Sequence, residues 1–158
     1  MNSRIVNIIL PLVGGVIYVC LDFLYIYLTR NHYEQAVQNI QKEEMEVDVV
    51  AAIVCYAIMG LGWYLIAIQL ASAYFDKLKQ RRPSWSPLSS SALSGLVSGF
   101  LYGFVVYGVF NCTTRALFSN RYPVTLLVQD MAWGSLYTML YTTVYMLIWH
   151  QLSHPVDL

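Results

Sequence analysis

Residues 49–73 read VVAAIVCYAIMGLGWYLIAIQLASA, twenty-five positions without one Asp, Glu, Lys or Arg. An α-helix rises about 1.5 Å per residue, so roughly 20 apolar residues cross the ~30 Å hydrocarbon core of a bilayer. A charge-free run of this length is a membrane span, and it sets the class of the chain. The composition agrees: 58 % of the 158 residues are hydrophobic and 11 % charged, against roughly a quarter charged in soluble domains.

Working outward, the apolar run 5–28 carries Pro11, Gly14, Gly15 and one acid, Asp22. Arg4 gives it a slight basic leader, as in a signal peptide. The run exceeds the ~7–15 apolar residues of a signal sequence, however, and no small-residue cleavage site follows, so an anchor is expected. Residues 29–48 are polar, with Arg30, His32, Glu34, Lys42, Glu43, Glu44, Glu46 and Asp48, and read as a solvated helical loop. Beyond the second span come Lys77, Lys79, Arg81 and Arg82. A loop of Pro83, Ser84, Ser86, Pro87, Ser89 and Ser90 follows. Two further apolar runs, 91–110 and 124–149, flank Arg115, Asn120, Arg121 and Pro123. The sequence therefore predicts an all-α membrane protein, a four-transmembrane-helix bundle forming a single membrane-embedded domain over 1–158.

Other classes fall away. Net charge is zero, with no basic stripe for nucleic acid. Cys20, Cys55 and Cys112 lie one each in separate apolar runs, and His32, His150 and His154 lack ligand spacing, so neither a disulfide framework, a metal site nor a cofactor is expected. Asn111, Cys112 and Thr113 form a glycosylation sequon, but at the end of a span, where modification is not expected. The thirteen tyrosines and four tryptophans, Trp85 and Trp149 among them, read as interfacial anchors and bundle packing. Four basic residues packed into the second loop, with Arg4 on the same side, place both termini in the cytoplasm by the positive-inside rule, against Arg30, Lys42, Arg115 and Arg121 opposite.

Two patterns carry more. Ser91, Gly95, Gly99, Gly103, Tyr107 and Asn111 recur every four residues along one face of the third span. Such a stripe lets a neighbouring helix approach closely, so Gly95, Gly99 and Gly103 are expected to pack helices within the bundle. A self-association seam in a homo-oligomer and a ligand groove are its other uses. The second pattern is acidic. An ionisable group inside a span costs about 2.5–3.5 kcal/mol even on the mild insertion scale. Asp22 and Asp130 each sit some six residues from the end of their spans, about 9 Å below the interface that carries the first and third loops. Asn111, Thr113 and Thr114 reach the same end. Asp130, Trp133, Gly134, Tyr137 and Tyr141 follow the progression of one helical face, as do Tyr18, Asp22 and Tyr25.

These residues predict an inward cluster of Asp22, Asp130, Asn111, Thr113 and Thr114 with Tyr18, Tyr107, Trp133 and Tyr137 around it. As a site it would bind a small polar ligand, a proton or cation, or a lipid headgroup. Arg115 could instead neutralise one acid. As a structural device it would join helices by hydrogen bonds worth about 0.6–2 kcal/mol each, fitting a structural or assembly protein of a cellular or viral membrane. A small lipid-acting enzyme is the third reading, and no recognised nucleophile, metal motif or cofactor fingerprint accompanies it.

The same residues resemble a family of small predicted membrane proteins, domain of unknown function 2177. That family is similar in having four spans, an aspartate late in the first helix, a tyrosine-rich segment ending in a YDxTN-like stretch, and a DxxWG-like motif opening the last helix. Asp22 matches the first feature, residues 107–114 (YGVFNCTT) the second and 130–134 (DMAWG) the third. Asn111 stands where the family's pattern has aspartate and Thr114 where it has asparagine, leaving two buried carboxylates instead of three. The resemblance, over about 21–149, implies the fold and the position of the site; it brings no established activity.

Overall fold

The computed structural model describes residues 3–153, with side chains from Ile8 onward, so the Arg4 side chain and His154 lie outside the described residues. Five helices follow in order: α1 (Ser3–Leu28), α2 (Arg30–Gln41), α3 (Val49–Arg81), α4 (Pro87–Phe118) and α5 (Val124–Ser153), with a 3₁₀ turn, Ser119–Arg121, before the last. No strand occurs among the described residues.

Local chemistry sets the boundaries. Thr29 alone separates α1 from α2, its hydroxyl donating to the Tyr25 carbonyl at 2.7 Å. α2 stops at Lys42, which turns left-handed (φ 65°) and returns its N–H to the Gln38 carbonyl. Asp48 caps α3 by accepting from the Ala51 N–H at 3.0 Å. The stretch expected as loop up to Ser90 is helical from Pro87. Ser86 accepts from the Ser89 N–H at 3.0 Å, and Pro87 takes the first helical position, where its missing N–H costs nothing. Nor is 29–48 simply solvated loop, because α2 buries Ala36 beside Tyr122 and Leu126.

Inside α3 one turn, Trp63–Ile68, is π-helical. Tyr102 of α4 donates to the Met59 carbonyl at 3.2 Å, passing Gly62, where a Cβ would lie 2.5 Å from the phenol oxygen. A side chain inserted at the backbone ladder is a recognised cause of such a turn. Trp63, Ala67, Ile68 and Ala71 all face the core.

Three segments are long and apolar enough to cross a membrane: Ile8–Leu28, Val49–Arg81 and Pro87–Arg121. The expected fourth span, α5, has 30 residues but lies outside that set. Its polarity is inverted relative to a soluble helix. Asp130, Ser135, Thr138 and Thr142 are buried, while Val128, Leu136, Leu140, Val144 and Ile148 point outward with 42–59 % exposure. The inner face lowers the average hydropathy, and the outer face is as greasy as that of its neighbours.

α5 runs antiparallel along α4 at backbone contact. A Cβ on Gly95 would lie 2.6 Å from Thr143 Cα, and one on Gly99 2.5 Å from the Thr138 carbonyl and 2.8 Å from Met139 Cα. Gly103 rests on the Gly134 backbone, and Gly134 lies against the Tyr107 ring. Between the glycines, Ser94 and Ser98 turn their hydroxyls back to the carbonyls of Ser91 and Ser94, so they pack as small residues. Because backbone cannot yield as a side-chain tip can, Gly99→Ala is expected to lower stability by about 1–3 kcal/mol through overpacking. Gly108→Ala, whose Cβ meets only Met131 Cε at 3.5 Å, is expected to be neutral. Thermal unfolding of both variants in one detergent checks the difference.

Candidate intramembrane polar site

α1 and α5 are joined in a constant antiparallel register. Tyr141, Tyr137 and Trp133 stand four residues apart on one face of α5, and Gly14, Tyr18 and Asp22 four apart on α1. Tyr141 donates to the Gly14 carbonyl at 2.6 Å, Tyr137 to the Tyr18 carbonyl, and the Trp133 indole N–H to Asp22 Oδ1 at 3.0 Å. One turn further the direction reverses, and Tyr25 of α1 donates to Asp130 Oδ1 of α5 at 2.9 Å. Each helix thus supplies one acid and, three residues on, one aromatic donor for the other's acid.

The remaining elements close around this crossing. Tyr107 of α4 donates to Asp22 Oδ1, and Tyr33 of α2 to Asp130 Oδ1 at 2.6 Å. Gln129 donates to the Tyr25 hydroxyl at 3.2 Å. Asn111 gives its amide N–H to the Tyr107 carbonyl at 2.9 Å and accepts from Tyr122 at 2.5 Å. Asp22 is 4 % exposed, Asp130 3 % and Asn111 0 %. Arg115 does not neutralise either acid. It donates to the Tyr122 carbonyl and, at 3.1 Å, to Asn120 Oδ1, clamping the 3₁₀ turn. The one ion pair among the described residues is Arg30–Glu34 at 2.6 Å, on the surface of α2. No group of three or more His, Cys, Asp or Glu placed for a metal occurs among them.

Of the residues expected here, Asp22, Asp130, Asn111, Trp133 and Tyr107 meet in this network. Tyr18 and Tyr137 continue it along the bundle, with Tyr18 sharing a 3.1 Å hydrogen bond with Thr138. Thr113 and Thr114 are not brought in. Thr113 lies two residues beyond Asn111, about 200° around the helix, and is exposed, while Thr114 donates to its own helix at the Phe110 carbonyl, 2.8 Å away. The two acids are also not level. Asp22 faces Trp133, so Asp130 stands three residues, about 4.5 Å, nearer the loop end. Tyr33, Tyr122 and Gln129 escaped the sequence reading. The signal for Tyr33 was present, because Tyr33, Ala36, Val37 and Ile40 form an i, i+3, i+4, i+7 stripe in a segment otherwise polar.

The hydroxyl and indole donors to each carboxylate converge on one oxygen, the Asn111 amide stands as a further partner of Asp130, and all of these groups are neutral. The two extramembrane phenols answer to the acid beneath them. Burial, then the hydrogen bond to Asp130 and its charge, push Tyr33 far above the ordinary phenol range, and burial followed by the Asp130 charge pushes Tyr122 up.

A raised folded-state pKa means that the neutral phenol contributes stability fully below its unfolded pKa near 10 and loses it as pH climbs beyond that. The α2 amides are therefore expected to stay protected from hydrogen exchange up to about pH 10 and to open above it. Tyr33→Phe is expected to open α2 at neutral pH, with a loss of about 1–3 kcal/mol in local protection and α4 and α5 unchanged. Segment-resolved exchange by mass spectrometry reads both effects.

One or more residues of each family-like motif touch: Asp22 accepts from Tyr107 and Trp133, and Gly134 admits the Tyr107 ring. Comparison with curated proteins and with solved structures finds no match. The family described as "Predicted membrane protein", domain of unknown function 2177, matches residues 7–147. With all but a few residues of its helices inside that match, the chain belongs to this family of predicted membrane proteins.

Proposed function

We propose that Asp22 and Asp130 bind a proton or a small cation, the latter an inorganic ion or the amine of a polar ligand or lipid headgroup. The observation that supports this reading is the neutrality of everything that holds them. Each buried carboxylate has two hydroxyl or indole donors on Oδ1 and no Lys, Arg or His partner among the described residues. Carboxylates at membrane depth are costly, and a bound positive charge offsets that cost. At Asp22, convergence of the donors on Oδ1 leaves Oδ2 as the oxygen to carry a proton or join a cation. With four basic residues at 77–82 in the cytoplasm, the site belongs to the opposite leaflet and is reached from that side.

A second reading draws on the register itself. The bonds from Tyr137 and Tyr141 to α1 carbonyls continue past the acids, which suits a network that serves only to fix the bundle.

Proteoliposomes separate the two. On the cation reading, adding alkali cations or a primary amine to wild type releases protons, and Asp22→Asn with Asp130→Asn abolishes the release while the protein stays folded. Equal release from both forms would sink this reading. The structural reading predicts no release from wild type and a marked fall in thermal midpoint in the double variant. Mass spectrometry of what copurifies with each form identifies any organic ligand.

A further inference from the structure

The rings that make the register also stack on one another. Tyr25 lies on Trp133 with centroids 4.3 Å apart and planes 6° from parallel. Trp133 lies on Tyr137 at 5.1 Å and 5°, Tyr137 on Tyr18 at 5.1 Å and 12°, and Tyr18 on Trp63 at 5.3 Å and 16°. Offset-stacked rings at 4.5–7 Å are ordinary as pairs. Here five oxidisable rings from three helices form one continuous column. Overlapping π faces at this separation exchange electrons readily, and every member is a phenol or an indole.

The column has an entrance and an end. Trp133, Tyr137 and Tyr141 line an apolar groove on the outer surface, about 490 Å³ in volume, shared with Leu21, Leu136 and Leu140, so lipid chains reach the half-buried edges of Trp133 and Tyr141 while Tyr137 stays buried. Tyr25 is buried from lipid and is the one phenol of the stack that donates to a carboxylate. Tyr18 shares its hydrogen bond with a threonine hydroxyl, and Tyr137 gives its own to a backbone carbonyl, both poor proton acceptors. A phenol is oxidised most easily when its proton can leave with its electron, and among the phenols of the stack only Tyr25 has a carboxylate to receive it, as the Trp133 indole N–H has Asp22.

We propose that the Trp133–Tyr25 end of the column carries one-electron oxidising equivalents from the lipid-facing edge of Trp133 to Tyr25, so that the protein quenches lipid peroxyl radicals. The peroxyl radical takes one electron from the indole of Trp133 and one proton from interfacial water, forming the O–H bond of a lipid hydroperoxide and leaving a hydroxide ion in the water. The indole radical cation is refilled by one electron from Tyr25. The Tyr25 O–H bond breaks, its proton passing to Asp130 along the 2.9 Å hydrogen bond. The products are one hydroperoxide, one hydroxide ion, one tyrosyl radical and one protonated Asp130. The step rests on the preceding reading only in requiring Asp130 to accept a proton.

The test uses the full chain in nanodiscs of polyunsaturated phosphatidylcholine, with a lipid-soluble azo compound as the source of peroxyl radicals and electron paramagnetic resonance of frozen samples. Wild type is expected to give a tyrosyl signal and to slow hydroperoxide chain growth. Tyr25→Phe loses both effects. Trp133→Phe, which keeps a ring in the stack but removes the oxidisable indole, loses them too; should it misfold by circular dichroism, Tyr25→Phe decides. Tyr27→Phe removes a phenol that is 64 % exposed and outside the column, and it is expected to leave both effects intact. A signal that survives Tyr25→Phe, or that disappears in Tyr27→Phe, overturns the proposal. Proton release measured on the same samples keeps the two readings apart. Release without a radical overturns the column alone, and a radical without release overturns the cation site alone.

Discussion

Inside a bilayer no water is available to satisfy a polar side chain, so each must find its partner within the protein. The crossing of α1 and α5 is built around that constraint. Asp22 is met by Trp133 and Asp130 by Tyr25, each helix answering the other's acid. A slip of one helix past the other by a single turn would part Trp133 from Asp22 and Tyr25 from Asp130 at once, leaving each acid only the donor brought by a third helix, Tyr107 or Tyr33. The register is therefore fixed by several bonds that fail together, which is a stronger constraint than apolar packing between two greasy surfaces.

The other helices are placed by what they bring to this crossing. α4 reaches α5 through bare backbone at Gly95, Gly99 and Gly103, which carries Tyr107 to Asp22 and Asn111 to the end of the bundle. α3 enters less closely, and its π turn at Trp63 accommodates the Tyr102 hydroxyl while setting the indole between Tyr18, Tyr141 and Tyr145. Trp63 donates to Thr142 at 3.0 Å, so even the most buried indole is satisfied. Glycine, π turn and hydroxyl ladder are three solutions to one problem, bringing polar groups together where lipid would otherwise intervene.

Much of this was legible in the sequence because the signals were periodic. A charge-free run announced α3, spacing by four announced the contact face of α4, and two acids in apolar runs announced where polar groups gather. What escaped had no period or was masked by composition. Tyr33 sits in a segment whose charges spoke for solvent, and only its four-residue stripe betrayed a docked face. Thr113 was near the site in sequence but points about 200° away around the helix from Asn111, and Thr114, on nearly the same face as Asn111, gives its hydroxyl to its own helix, so proximity along the chain misled. The fourth span, 124–149, was legible although its inner face of Ser, Thr and Asp dilutes the average that marks a span, because its outer face is apolar. The π turn leaves no mark in composition at all.

The single residue Thr29 between α1 and α2 has a mechanical meaning. α2 is tethered to the top of α1 by a hinge one residue long and pinned at its other contact to an acid of α5 through Tyr33. On the cation reading, a change of charge at Asp130 alters one fixing of this helix, beside the packing of Ala36 against Tyr122 and Leu126. The event is buried, but its readout is not: the surface helix becomes an indicator of the interior, accessible to a soluble protein that never enters the membrane.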